Sequence, residues 1–214
     1  VSLPRLPHVF LTLAPTGATR ADDREALVTA VATAHAVDRS AVRAGRVCAH
    51  CGETGHGRPW AEVEGARSVG VSLARTTDLV ALAVGPGDVG VDLERPSRVA
   101  AAPLDVFTAG ERERGAGDVR VLAACWAAKE AVLKRDGRGL RVDPAEVDVD
   151  VGRGTAVFEG VEQPVTLLFP DDDLVVAVAA GGLPVVASST VASSTVASST
   201  VPSSTAADGV SAGA

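Results

Sequence analysis

The sequence predicts an α+β fold of two helix-plus-sheet halves, residues 1–90 and 91–186, with a low-complexity tail at 187–214. Two stretches carry apolar residues at helical spacing, one after Asp22-Asp23 and one over Val119–Asp136. Short runs of alternating apolar residues, bounded by Gly, Pro and Asp, read as strands through most of the remaining chain. Residues 186–205 repeat Val-Ala-Ser-Ser-Thr and close on Val-Pro-Ser-Ser-Thr. That composition has too few bulky apolar groups to offset the entropy of ordering, so a disordered tail without a catalytic part is expected.

Hydrophobic residues make up 46% of the 214, enough to build a core. Aromatics are only 3%, with no Tyr and no Met, so Ala and Val must fill it. A net charge of −7 and a pI near 5.1 argue against nucleic acid as the main partner, because phosphate backbones need a basic surface. Three cysteines, an odd number, do not make a disulfide framework and fit a reducing cytoplasm. The apolar run Val9–Ala14 is too short for a signal core. From Leu174 to Ala187 the chain is uncharged, but Gly181-Gly182-Leu183-Pro184 breaks it short of a membrane span. A soluble, cytoplasmic protein without a membrane segment is expected.

Taken in order, the first strand is predicted around His8–Ala14, followed by a Pro-Thr-Gly turn. Asp22 or Asp23 is read as the cap of a helix running to about Ala36, with Leu27, Ala30, Val31 and Ala34 on its buried face. Cys48, Cys51 and His56 then form Cys-x₂-Cys-x₄-His, three quarters of a zinc knuckle. The fourth ligand should follow by about five positions, where Ala61 stands, and His50 lies awkwardly inside the Cys-x₂-Cys loop. Structural zinc and a reduced, loop-stabilising thiol pair both remain open. Ser68–Ala74 and Asp78–Val84 read as a hairpin around Arg75-Thr76-Thr77.

Val89–Glu94 reads as a strand closed by Arg95-Pro96. Side chains two apart share a face, so Asp92 and Glu94 project together while Val91 and Leu93 turn inward. Gly90 shares the carboxylate face and leaves room for something to approach the backbone. The segment Arg95–Gly117 reads as a mobile connector in which Thr108 and Glu111 form a capping box that starts a short helix. Phe107 is read as core or as a partner contact. The helix Val119–Asp136 stops at Gly137. Val147–Val151, Thr155–Phe158, Val165–Phe169 and Leu174–Ala180 are read as four strands of a second sheet.

Along Val119–Asp136, Val121, Cys125, Ala128 and Val132 make one apolar stripe, and Trp126, Glu130 and Lys134 make another at i, i+4, i+8. At about 100° per residue the stripes lie roughly 160° apart, so one can pack on the domain while the other faces a cleft. If that face meets the strand, Asp92, Glu94 and Glu130 converge with Lys134 beside them. Three carboxylates suit a hard cation such as Mg²⁺, which fills its remaining positions with water or phosphate oxygen. Singly, each feature is ordinary: a Glu–Lys pair at i, i+4 is usually a solvated helix pair. Jointly, G-x-D-x-E and then W-x-x-K-E-x-x-x-K, with 38 positions from Asp92 to Glu130, is a specific arrangement.

That arrangement resembles the 4′-phosphopantetheinyl transferases, in particular the single-chain, pseudo-dimeric, surfactin-synthetase-activating type. The resemblance implies two halves about a pseudo-twofold axis; no internal sequence repeat is visible, so that symmetry rests on the resemblance. It also implies a monomer that transfers the 4′-phosphopantetheine arm of coenzyme A to a serine of an acyl or peptidyl carrier protein, releasing adenosine 3′,5′-bisphosphate. Asp92, Glu94 and Glu130 would hold Mg²⁺, and Glu130, ahead of Glu94, would be the base, with Asp92 and Lys134 in the catalytic set. Arg24, and less directly Arg20, matches a basic residue near the first helix that lies near coenzyme A in relatives. Arg58 matches the basic residue of a Gly-Arg-Pro segment that contacts a phosphate. Relatives carry Asn-x-Ser-His-Ser in the hairpin; here Ser72-Leu73-Ala74-Arg75-Thr76 stands there. Ala74 lacks the hydroxyl, and Arg75 keeps the charge role but not proton transfer. Two rivals are a metal-dependent phosphodiesterase, which the charge of −7 disfavours, and a zinc-knuckle binding module built on residues 48–56.

Overall fold

The computed structural model describes residues 3–66, 69–99 and 104–189. Strand β1 (Val9–Pro15) buries Val9, Leu11 and Leu13, the alternation its sequence carries. Helix α1 (Arg20–His35) follows, but its cap is Thr19 rather than Asp22 or Asp23. Thr19 Oγ1 accepts from Asp22 N at 3.2 Å, and Asp22 Oδ2 accepts from Thr19 N at 2.8 Å, a reciprocal capping box. Leu27, Ala30, Val31 and Ala34 are buried as expected.

Strands β2 (Val42–Val47) and β3 (Arg58–Val63) pair antiparallel, a hairpin that the sequence reading did not foresee. The cysteine segment forms its connecting turn. Strands β4 (Gly70–Arg75) and β5 (Leu79–Gly85) make the expected second hairpin; Ser68, where the first was placed, lies outside the described residues. Strand β6 (Gly90–Glu94) leads to helix α2 (Pro96–Val99), so the supposed connector carries structure on both sides of 100–103, which are outside the described residues. Helix α3 (Ala109–Gly115) has the predicted box: Glu111 N donates to Thr108 Oγ1 at 3.1 Å, and Thr108 N donates to Glu111 Oε2 at 2.8 Å. Helix α4 (Val119–Asp136) ends where the sequence puts its stop, with Gly137 in the left-handed region.

The four C-terminal strands do not form one sheet. Strands β7 (Val147–Asp150), β8 (Thr155–Phe158) and β9 (Val161–Pro164) form an antiparallel sheet, and β9 was not predicted. Strands β10 (Thr166–Asp171) and β11 (Leu174–Ala179) instead join β6 in the order β10-β11-β6. Strand β12 (Val185–Ser189) pairs in parallel with β1, completing the order β12-β1-β5-β4. The start proposed for the tail at 187 therefore falls inside a strand, since Ala187 and Ser188 pair with Leu11 and Thr12. Residues 190–214 lie outside the described set.

Three cores explain the layering. On β5, Val80, Leu82 and Val84 pack with α1, while Ala81 and Ala83 face the other way. On β11, Val175, Ala177 and Ala179 pack with α4, while Val176 and Val178 join Val91, Leu93, Leu11 and Ala83. The order is helix α1, the four-stranded sheet, the β10-β11-β6 sheet and helix α4. A strand buried on both faces needs an unbroken apolar run, which Leu-Val-Val-Ala-Val-Ala supplies in β11. The fold is α+β.

Candidate functional site

The two central pieces of sequence meet. Val91 and Leu93 of β6 are buried between the sheets, which turns Gly90, Asp92 and Glu94 toward α4. Gly90 does not open space for a ligand, as its place in the sequence suggested. A Cβ there would lie 1.8 Å from Ala131 O and 2.7 Å from Arg135 N, so its bare backbone lets α4 press directly onto β6. On α4 the stripe Trp126, Glu130 and Lys134 is half-buried, and Lys134 lines a cavity, but the rest of the helix gives no open half. It is buried nearly all round, from Leu122 through Leu133, including Lys129 in the same Trp-x-x-Lys-Glu run.

Lys129 and Lys134 separate cleanly. Lys129 is fully buried, with Nζ 2.9 Å from Glu111 Oε2; it donates to Pro144 O at 2.9 Å and also to Val147 O. Glu111 in turn accepts from Val149 N at 2.8 Å. This lysine ties α4 to α3 and β7. Lys134 points to the strand: its Nζ lies 2.5 Å from Asp92 Oδ1 and 3.5 Å from Glu130 Oε2. Its ammonium stands between the two carboxylates rather than apart from them.

Asp92 is 5% exposed, and burial pushes its carboxyl up to about 7 against the pull of Lys134, with Glu130 and Glu94 adding to the rise. Burial works against the Lys134 charge, but Asp92 and Glu130 outweigh it and the net shift is upward. Glu94 is also raised by burial, eased by the charge of Arg98 and a hydrogen bond from Trp126. Trp126 packs partly buried on the α4 core, and Phe107 is core outright. Asp92 Oδ2 is buried with no hydrogen-bond partner, an orphan acceptor that a cation would satisfy. Glu130 shares the same ammonium, but among the described residues the oxygens of Asp92, Glu94 and Glu130 do not gather within 4.8 Å of one another, so the expected convergence of three carboxylates is incomplete. Glu94 is the least committed member, since it turns to Trp126 and Arg98.

One cavity borders this cluster at Lys134, and a second shares Arg46, Pro59 and Leu73 with the first. The first, about 330 Å³, is lined by Arg46, Arg58, Ser72, Lys134, Arg138 and Arg141. The second, about 350 Å³, is lined by Arg20, Asp23, Arg24, Arg46, Trp60 and Leu73. A chain of net charge −7 thus gathers cations here, and Arg46, which borders both cavities, was missed by sequence reasoning. Burial lowers its pKa first, Asp23 offsets that, and Arg20 and Arg75 lower it further. The only hint in sequence was its place on the strand leading into the cysteine turn.

Arg58 Nη2 is 3.1 Å from Asp88 Oδ1 at the wall of the first cavity. Arg24 donates from Nε to Ala44 O at 2.8 Å beside the second. Arg75 lines neither; it pairs with buried Asp23 at 2.9 Å and reaches Gly17 O at 3.4 Å. Ser72 Oγ accepts from Val91 N at 3.0 Å, which joins β4 to β6 across the sheets.

No described helix is long and apolar enough to cross a membrane. No curated protein matches the chain significantly. Residues 88–179, which carry β6, α4 and the Asp92–Lys134–Glu130 cluster, match the family model of the 4′-phosphopantetheinyl transferase superfamily.

Proposed function

We propose that this chain transfers the 4′-phosphopantetheine arm of coenzyme A to a serine hydroxyl of an acyl or peptidyl carrier protein, releasing adenosine 3′,5′-bisphosphate. The observation that carries the reading is the position of Lys134. It bonds to buried Asp92 and at the same time lines a cavity whose other cations are Arg46, Arg58, Arg138 and Arg141. A carboxylate pair joined to an arginine-lined cavity through one side chain suits a substrate that brings phosphates to a metal.

Asp92, Glu130 and a reoriented Glu94 would hold Mg²⁺, which when bound supplies charge neutralisation at the pyrophosphate. In the transfer, the serine oxygen bonds to the phosphorus that carries the pantetheine arm. The bridging P–O bond breaks, and its electron pair leaves on adenosine 3′,5′-bisphosphate. The hydroxyl proton passes to Glu130. Arg58 and Lys134 counter phosphate charge before and during the step. Arg24 sits where it can meet a second part of coenzyme A, whereas Arg75 would have to leave Asp23 to reach a phosphate. The single-chain, pseudo-dimeric type is favoured by the helix, sheet, sheet, helix order, which suits two halves about a pseudo-twofold axis in a monomer.

The test is mass spectrometry of an apo carrier protein incubated with coenzyme A, Mg²⁺ and this chain. Gain of the phosphopantetheine mass is expected; an unmodified carrier under conditions where a known transferase loads it overturns the reading. Steady-state kinetics then assign roles. Glu130→Gln should lower kcat by about 10²–10⁴-fold, the usual loss of general-base help. Lys134→Ala should raise KM for coenzyme A at least as clearly as it lowers kcat, because phosphate charge is present in ground and transition states alike. A change confined to KM in the first variant, or none in the second, would leave an ordinary ion pair.

A further inference from the structure

The turn between β2 and β3 carries three side chains that the transfer chemistry does not use. The ligand atoms of Cys48, Cys51 and His56 all lie within 4.8 Å of one another, and Cys51 Sγ is 3.4 Å from His56 Nε2. Among the described residues no other group of three or more His, Cys, Asp or Glu side chains comes so close. A tetrahedral ion with bonds of about 2.0–2.3 Å holds its ligands roughly 3.3–3.8 Å apart, so only a slight tightening is needed.

The backbone is already shaped for this. Cys48 N donates to Glu53 O at 3.0 Å, Gly52 N donates to Cys48 O at 2.9 Å, and a bridge joins Val47 to Thr54. Backbone groups of Cys51 and His50 donate to the Cys48 sulfur. Gly57 holds φ +87°, and a Cβ there would come within 2.4 Å of Val47 O, so the turn closes tightly behind His56. Such amide bonds to a ligating sulfur are the outer support that orients metal ligands.

We infer that this turn binds one Zn²⁺ through Cys48 Sγ, Cys51 Sγ and a His56 ring nitrogen, with the fourth position open to solvent. The two sulfurs bind as thiolates, any thiol protons passing to solvent, and His56 binds as neutral imidazole. Two soft sulfurs and an imidazole favour zinc over the hard cations that carboxylates hold. The ion has a structural consequence next door. Gly57 leads directly into Arg58, and Cys48, Ala49, His50 and Arg58 line one wall of the first cavity. Closing the turn on a metal fixes that wall.

The test is cobalt substitution in the full chain, purified reduced and then stripped with a chelator. One equivalent of Co²⁺ should give a sulfur-to-cobalt charge-transfer band and the strong d–d absorption of a tetrahedral site, both displaced by Zn²⁺. Carboxylates cannot give the sulfur band, so binding at Asp92 and Glu130 is not mistaken for it. Cys51→Ser and His56→Ala should each weaken or lose the tetrahedral spectrum, and His50→Ala should keep it. Circular dichroism of each variant shows whether it is folded. Should a variant unfold, competition between wild-type protein and a chromophoric zinc chelator reads the same site. Absence of the sulfur band in folded wild-type chain, or its full retention in folded Cys51→Ser, overturns the inference. Neither readout depends on transferase activity.

Discussion

Lys129 and Lys134 stand five positions apart on one helix and do different work, because a turn and a half of helix points them at different neighbours. Lys129 is sealed against Glu111, and removing one partner of a buried pair leaves the other charge uncompensated. Lys129→Met should destabilise the protein by about 3–5 kcal/mol, read from urea unfolding, with any activity change following the loss of fold. Asp92 makes a pH-dependent contribution. Its carboxyl is raised from 3.8 to about 7, so between these values the folded chain binds its proton more tightly than the unfolded chain does. The stability this group adds is full below pH 3.8 and is lost as pH rises through about 7. In chelator-treated protein, the urea midpoint of wild type should therefore fall more between about pH 5 and pH 8 than that of Asp92→Asn. Equal slopes for the two proteins would remove Asp92 from the account.

At the scale of elements, the contact of α4 with β6 fixes the site. The expected carboxylate face forms because Val91 and Leu93 take the opposite face into the core between the sheets. Gly90 then sets how near the helix comes. Gly90→Ala drives a methyl into the Ala131 carbonyl and should cost about 1–3 kcal/mol or more, as overpacking does. The checking measurement is the thermal midpoint, with activity assayed well below it; an unshifted midpoint would mean the helix is free to move away. The same displacement separates Asp92 from Lys134, so the surviving activity should also fall.

At the scale of the molecule, β12 returns the chain to the sheet in which it began. Its parallel pairing covers the edge of β1. A chain ending after Pro184 loses that strand and should melt about 4 °C lower or more, the shift expected for 1 kcal/mol or somewhat above in a protein of this size. One ending after Ser189 should melt as the full chain does. A drop for the second truncation would show that the Val-Ala-Ser-Ser-Thr repeats dock.

The strand Gly90–Glu94, the helix Val119–Asp136 with its stop at Gly137, and the Thr108–Glu111 box were determined by sequence alone. Each rests on local forces: alternation, helical propensity and capping act within a few residues. The Thr19 cap was also legible, since Asp22 stands three positions on, but the adjacent Asp23 competed for the role. The remaining features depend on partners distant in the chain. The division of the last strands between two sheets follows from β6 claiming β11, which both its apolar faces permit. The burial of Lys129 required Glu111 on another helix, and the gathering of Arg46, Arg58 and Arg141 required two turns and a hairpin to converge. A charged residue carries no mark in sequence of whether its partner will be water, a carboxylate or a phosphate; packing makes that choice, because only packing decides which charges keep their water.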